Sequence, residues 1–234
     1  DLGENLDVFE EELKNYFGVK GAALVNSGTA AIHLSLVLAG VSSGDEVIVP
    51  TLNFAGCINP IIYQNAVPLF ADSENETWNI DPNIVEIILK EKAKKGKLPK
   101  AIIVVHLFGI PCLLDEIKSL TEQYEIPLIE DAADAMGTEY KAHKAGTIGE
   151  MGIISFNGNK IITTSGGGVL LSNDVNKIER AKYLANQART MKPHYTHDEK
   201  GFNYMLSNIL AGIGRGQIPF IDERLKQREK VNEY

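Results

Sequence analysis

The sequence predicts an α/β fold, one large domain with a mainly parallel central sheet flanked by helices. Three observations predict it. Apolar strand-like runs alternate with helical stretches along most of the 234 residues. Several of those runs are apolar on both faces, as strands are when helices cover both sides of a parallel sheet. With 44% hydrophobic and 23% charged residues, the chain can bury a sizeable core.

Taken in order, Leu6–Phe17 reads as an amphipathic helix, with Leu6, Phe9, Leu13 and Phe17 on one face and Glu10, Glu11, Glu12 and Lys14 on the other. A short strand, Ala22–Val25, runs through Asn26-Ser27-Gly28-Thr29 into a helix ending near Ala39. Further strands are expected at Glu46–Val49, Val67–Ala71, Ala101–Val105, Pro127–Glu130, Gly152–Phe156 and Gly168–Ser172. Helices are expected at Asn53–Tyr63, Pro82–Lys95, Leu114–Tyr124 and Val175–Thr190. The run Glu91–Lys100 reads as a charged surface connection.

The net charge of −8 excludes the basic footprint of a nucleic-acid binder. An acidic chain handling an anion must supply local positive ends, such as helix N-termini. Cys57 and Cys112 have neither metal spacing nor a disulfide framework, which points to a reducing, cytoplasmic home. No signal peptide opens the chain and no apolar run reaches the length of a membrane span, so no membrane partner is expected. The chain begins at Asp1 rather than methionine, so a native N-terminal segment is expected to be missing.

In parallel α/β sheets ligands gather at the carboxyl ends of the strands, so the residues there carry the functional reading. After Ala22–Val25, Gly28 lets backbone approach a ligand, Thr29 adds a hydroxyl, and first-turn N–H groups point outward. This is either a phosphate site or an ordinary helix cap with a turn glycine. After Pro127–Glu130 stands Asp131, with small residues beside it; it either meets a flat ligand or caps a following helix. After Gly152–Phe156 comes Asn157-Gly158-Asn159-Lys160, then a run ending in three glycines. Lys160 is either a surface turn lysine or a desolvated nucleophile, and the absence of other charge from Met151 to Leu171 favours the second.

Neither a P-loop nor G-x-G-x-x-G after a strand is present. His194 and His197 lack a carboxylate or cysteine partner at ligand spacing, so no metal site is expected. His106 stands at the right end of the sheet but reads equally as a satisfied core histidine. The set of handles instead suits pyridoxal 5'-phosphate (PLP), which has a phosphate, a pyridine nitrogen and an aldehyde. A helix N-terminus, a carboxylate and an amine answer them in turn.

The runs Ser-Gly-Thr-Ala-Ala (27–31), Gly-Asp-Glu-Val-Ile-Val-Pro (44–50), Glu-Asp-Ala-Ala (130–133) and Ser-Phe-Asn-Gly-Asn-Lys-Ile-Ile-Thr-Thr-Ser-Gly-Gly-Gly (155–168) resemble the DegT/DnrJ/EryC1/StrS family of sugar aminotransferases. The resemblance runs from Asp1 to Tyr234. Asn-Gly-Asn-Lys-Ile-Ile-Thr-Thr-Ser-Gly-Gly-Gly (157–168), Pro-His-Tyr (193–195) and Asn-Tyr-x-Leu-Ser-Asn (203–208) are most similar to the branch that aminates C4 of UDP-linked 4-keto-6-deoxy sugars, typified by UDP-N-acetylbacillosamine transaminase. It implies an aspartate-aminotransferase-like, fold type I large PLP-binding domain over residues 1–234, with an N-terminal segment and a small C-terminal domain, about 100 to 150 residues, missing.

By the same resemblance, Gly28, Thr29 and Ser155 bind the cofactor phosphate, Phe54 stacks on the ring, and Asp131 partners the pyridine nitrogen. Asp134 stands beside the phenolic oxygen, Lys160 is the Schiff-base lysine, and Asn203 reaches the cofactor of the other subunit. The implied enzyme is a homodimer with shared active sites. It takes an amino group from an amino-acid donor, usually glutamate, and gives it to a nucleotide-linked keto-sugar. Two positions depart from the pattern. Asp134 replaces a longer side chain and is expected to need a water, and Met205 replaces an expected arginine, removing a cation from the dimer or substrate region. A PLP-dependent sugar dehydratase is disfavoured because its lysine is replaced by histidine, whereas Lys160 is present. A non-catalytic binding relative needs neither Lys160 nor Asp131.

Overall fold

The computed structural model describes residues 3–190, 192 and 194–232. Pro193 of the 193–195 run lies outside the described residues, as do both chain ends. Strands β1 (Gly21–Val25), β2 (Glu46–Pro50), β3 (Val67–Ala71), β4 (Ala101–Val105), β5 (Leu128–Asp131), β8 (Met151–Ser155) and β9 (Gly168–Ser172) form a seven-stranded sheet of order β1-β9-β8-β5-β4-β2-β3. Only β9 runs against the rest, pairing antiparallel with both β1 and β8. The mainly parallel sheet predicted from doubly apolar strands is therefore present.

Alternation within each strand divides the core. Ala23, Val25, Val47, Val49, Ile103, Ile129 and Ile153 face one side, where they pack with α2 (Gly28–Leu38), α3 (Ala55–Tyr63) and α6 (Val175–Ala185). On the other side, Ala22, Leu24, Val169 and Leu171 meet Leu6, Phe9, Leu13 and Phe17 of α1 (Glu4–Phe17). Farther along that side, Ile48, Ile102 and Val104 meet α4 (Pro82–Lys94) and α5 (Leu114–Tyr124). Helix α1 buries the predicted stripe and stops at Gly18, whose φ of 69° places it in the left-handed region that glycine adopts freely.

Three local expectations change. The helix expected over Val175–Thr190 stops at Ala185. Phe202 N–H and Tyr204 N–H take the Leu184 and Ala185 carbonyls, and Gln187 and Ala188 turn to positive φ, so the returning chain ends the helix. Asp131 is the last residue of β5 and caps no helix. The hairpin β6 (Glu139–Tyr140) with β7 (His143–Lys144), and helices α7 (Asn208–Arg215) and α8 (Ile221–Asn232), are further elements that the sequence reading does not include.

Among the described residues, no helix is long and apolar enough to cross a membrane, and no group of three or more His, Cys, Asp or Glu is placed to hold a metal ion.

Candidate active site

Because β1, β2, β4, β5 and β8 are parallel, their carboxyl ends open on one edge of the sheet. That edge carries Gly28, Phe54, His106, Asp131, Ser155 and Lys160 within or just beyond its strands. β9 begins at the same edge, with Gly168 level with both Val25 and Ser155.

The β1 end enters α2 through Ser27, which accepts from Ala30 N–H at 3.0 Å. The cap reading therefore holds for Ser27. Gly28 and Thr29 come next, and their N–H groups meet no protein acceptor among the described residues. Buried Ser155 lies under this turn, since a Cβ added to Gly28 would sit 3.3 Å from its Cβ and 3.6 Å from its Oγ. The turn rests on Gly168, where an added Cβ would come within 2.8 Å of Gly28 N and Ser27 C. Gly168→Ala is expected to lower stability by about 2–3 kcal/mol through this backbone clash, read as a thermal shift. An unchanged melting temperature would mean that the turn can move away.

Phe54 caps α3 and is 83% exposed. A Cβ on Gly56 would lie 2.9 Å from Thr29 Oγ1 and 3.0 Å from Phe54 Cδ1, so the phenyl ring and the Thr29 hydroxyl border one space. Cys57, one residue on, is fully buried, and burial together with the Asp131 carboxylate pushes its thiol pKa up.

Asp131 is 7% exposed. Burial pushes its pKa up to about 6, against the Ala133 N–H and the charge of Lys160. Its Oδ1 accepts from Ala133 N–H at 3.1 Å, and no protein donor among the described residues reaches the other oxygen. A buried carboxylate with spare acceptor capacity suits a positively charged donor from a ligand.

Lys160 is not the uncompensated lysine that its local sequence suggests. Its side chain is 13% exposed, and Nζ lies 2.5 Å from Asp134 Oδ1. The carboxylate comes from the turn after β5, outside the charge-free Met151–Leu171 stretch. Asp134 reaches the lysine directly, with Nζ donating to Oδ1.

Asn203 is exposed beside the end of β1, where Asn26 Nδ2 donates to its carbonyl at 3.1 Å. Met205 forms a β-bridge with Val25 and packs between two hydrophobic clusters. An apolar side chain fits that place, so the missing arginine leaves no gap in the packing. His194 is exposed, and His197 Nδ1 contacts Gln187 O at 2.8 Å.

Other residues at the site carry little sequence signal. Glu130, fully buried one residue before Asp131, accepts from His106 Nε2 at 2.9 Å, Gly146 N–H at 3.0 Å, Ile148 N–H at 2.7 Å and Gly149 N–H. His106 Nδ1 accepts from Cys112 N–H at 3.3 Å, which leaves the ring proton on Nε2 for Glu130. The core reading of His106 is the one the structure shows. The adjacent Glu-Asp pair was the available clue, because neighbouring strand residues point to opposite faces.

His33 is a second such residue. It is buried on α2 between Tyr204 Oη, 3.0 Å from Nδ1, and Gln64 Nε2, 2.5 Å from Nε2. Burial, aided by Lys200, lowers its pKa to about 4. The unfolded chain binds a proton near pH 6.5 and the folded one does not, so stability is lost as pH falls from about 6.5 towards 4. Between pH 7 and 5, wild type is expected to lose on the order of 1–2 kcal/mol more than His33→Gln. Parallel pH profiles in urea melts would contradict this.

A mainly parallel sheet with a lysine, a buried carboxylate and a glycine-turn helix at its carboxyl edge places the molecule among aminotransferase-like α/β proteins. The chain belongs to the DegT/DnrJ/EryC1/StrS aminotransferase family, whose model matches residues 1–234. It is 53% identical over 230 residues to EpsN of Bacillus subtilis (strain 168), whose name describes a pyridoxal phosphate-dependent aminotransferase; the match covers 98% of this chain and 59% of EpsN. It is 38% identical over 229 residues to GDP-perosamine synthase of Escherichia coli O157:H7, covering 98% and 61% respectively. The crystal structure of a DegT DnrJ EryC1 StrS aminotransferase from Brucella abortus superposes with a TM-score of 0.93 at 27% identity, covering 98% of this chain and 62% of that one. The chain thus spans about three fifths of the length of these relatives.

Proposed function

We propose that the protein is a PLP-dependent aminotransferase. It moves an amino group from an amino acid, glutamate first among the candidates, to C4 of a nucleotide-linked 4-keto-6-deoxy sugar in surface-glycan biosynthesis. The observation that carries this reading is the gathering of Gly28, Ser155, Asp131 and Lys160 on one sheet edge, each with capacity to spare for a ligand.

In this reading residues 1–234 are the large cofactor domain. Gly28 and Thr29 N–H groups and the Ser155 hydroxyl hold the phosphate at the N-terminus of α2. Phe54 covers one face of the ring. Asp131 holds a proton on the pyridine nitrogen, and meeting that cation offsets the cost of its burial. PLP, when bound, supplies the electron sink for the carbanion of the amino acid. Lys160 would hold the cofactor through its amine and would move the proton at the substrate carbon, which requires Nζ to leave Asp134. Asp134 stays beside the ring oxygen.

Exposed Asn203 reaches the cofactor of a second copy, making a homodimer with shared sites. Two free, buried cysteines fit a reducing cytoplasm. UDP-linked acceptors come first, because the 157–168 and 203–208 runs resemble that branch. GDP-linked acceptors are the competing outcome, given the GDP-perosamine synthase relative.

The test is spectroscopic. Purified protein is mixed with PLP and scanned for a visible band, then given glutamate, which should bleach that band into the amine form. Panels of UDP-, GDP- and dTDP-linked keto-sugars should then restore it. A bound band that never responds to any amino acid would support a non-catalytic relative instead.

A further inference from the structure

One face of α8 looks across a cleft at the lysine turn. Arg224, Gln227, Arg228 and Val231 recur at i, i+3, i+4 and i+7, the spacing of a single helical stripe, and line a cleft of about 630 Å³ with Lys160 and Ile161. The adjoining face anchors the helix. Ile221 is buried, and Leu225 packs so closely on Gly137 that an added Cβ there would lie 2.5 Å from it.

Arg224 is fixed. Its Nη1 donates to Ile161 O at 2.9 Å and to Gln217 Oε1 at 3.2 Å. Gln217 is itself clamped, accepting from Thr163 N–H at 3.1 Å and donating to Thr163 O at 2.6 Å. These neutral partners leave the guanidinium charge uncompensated. Arg228 stands one turn farther, exposed, and neither arginine meets a carboxylate within ion-pair distance among the described residues. In a chain of net charge −8, the cleft gathers three cations, and the nearby carboxylates are Asp134 on Lys160 and Glu223, which accepts from Gln227 Nε2 at 3.1 Å. Its volume is that of a ligand site rather than of a trapped water.

We propose that the Arg224–Arg228 face is an oxyanion subsite for the diphosphate of the sugar nucleotide, an inference that rests on the aminotransferase reading above. Arginine forks match phosphate oxygens and stay charged at any working pH. Position selects the diphosphate over the carboxylate of the amino donor. A donor carboxylate adjoins the reacting carbon, whereas in the acceptor C4 and the C1 that bears the diphosphate lie across a six-membered ring. With C4 at the Lys160 amine, the diphosphate projects away from that turn, in keeping with arginines spaced a turn apart along α8, about 6 Å. The subsite would bind a feature common to UDP- and GDP-linked sugars, leaving base and sugar recognition to other groups.

The test is calorimetric titration of the PLP-loaded protein with UDP, GDP and glutamate, for wild type, Arg228→Gln and Arg224→Lys. Arg228 is exposed and its replacement is expected to fold normally. The expected result is about tenfold weaker binding of the preferred nucleoside diphosphate in Arg228→Gln, with glutamate affinity and the visible band unchanged. Arg224→Lys keeps charge but loses the fork and should weaken the same ligand. Nucleoside diphosphate binding that is absent in wild type, or equal in all three proteins, overturns the proposal. A loss confined to glutamate moves the anion to the donor carboxylate and overturns the diphosphate assignment. Diphosphate binding that depends on Arg228 in a protein that takes up no PLP would support the subsite and refute the aminotransferase reading instead.

Discussion

Replacing Lys160 with alanine is expected to reduce amino transfer by about four orders of magnitude or more, with the fold intact. The amine is the one amine nucleophile named at the carboxyl edge of the sheet, and among the described residues no second lysine lines its cleft. Folding should hardly change, because the residue contributes one ion pair to a half-exposed Asp134, of the kind worth about 0–1 kcal/mol. Lys160→Arg separates charge from nucleophilicity. It can keep the pair with Asp134, but arginine is not deprotonated in proteins, so it should be as inactive as alanine. The measurements are single-turnover absorbance with glutamate and a thermal melt of each variant. Activity within tenfold of wild type in either variant would remove Lys160 from the chemistry.

The second large effect is on stability. Glu130→Gln is expected to cost at least about 3 kcal/mol, lowering the melting temperature by about 6–12 °C. The wild-type carboxylate accepts from four donors in a fully buried site, whereas glutamine offers one acceptor oxygen and turns an N–H₂ group towards the remaining donors. Burial pushes the Glu130 pKa up, but the His106 hydrogen bond and the Gly149 and Gly146 N–H groups outweigh it and hold the pKa below 4.5. A depressed folded-state pKa contributes stability that is present above about 4.5 and lost as pH falls through the folded value. The gap between wild type and Glu130→Gln should therefore be widest near neutral pH and narrow in acid. A gap that stays constant down to pH 3 would show that the carboxylate charge is not what the four donors require.

Glu130 and Lys160 mark the limits of reading this chain along its length. The strands and the helices of the first two thirds follow from local pattern, because doubly apolar runs and the Leu6–Phe17 stripe can be buried in few ways. The positions of Gly28, Asp131 and Lys160 after their strands were also legible, since a parallel sheet brings all such ends to one edge. Charge pairing was not. Lys160 stands in a stretch without another charge, yet Asp134, 26 residues away, reaches it. Arg224 binds Ile161 from 63 residues away, and Met205 proves to be a packing residue only once Val25 is seen beside it. Likewise the end of α6 was hidden, because its last carbonyls are taken by residues 202 and 204.

The chain alone dictated the α/β architecture and the order of the strand-end residues. It could do so because periodicity and residue chemistry are local properties. Only the tertiary structure decided which of those groups meet, which charges are compensated and which helix face is left open to a ligand. Those depend on contacts between residues distant in the chain, where hydrogen-bond geometry and burial, rather than spacing, set the energy.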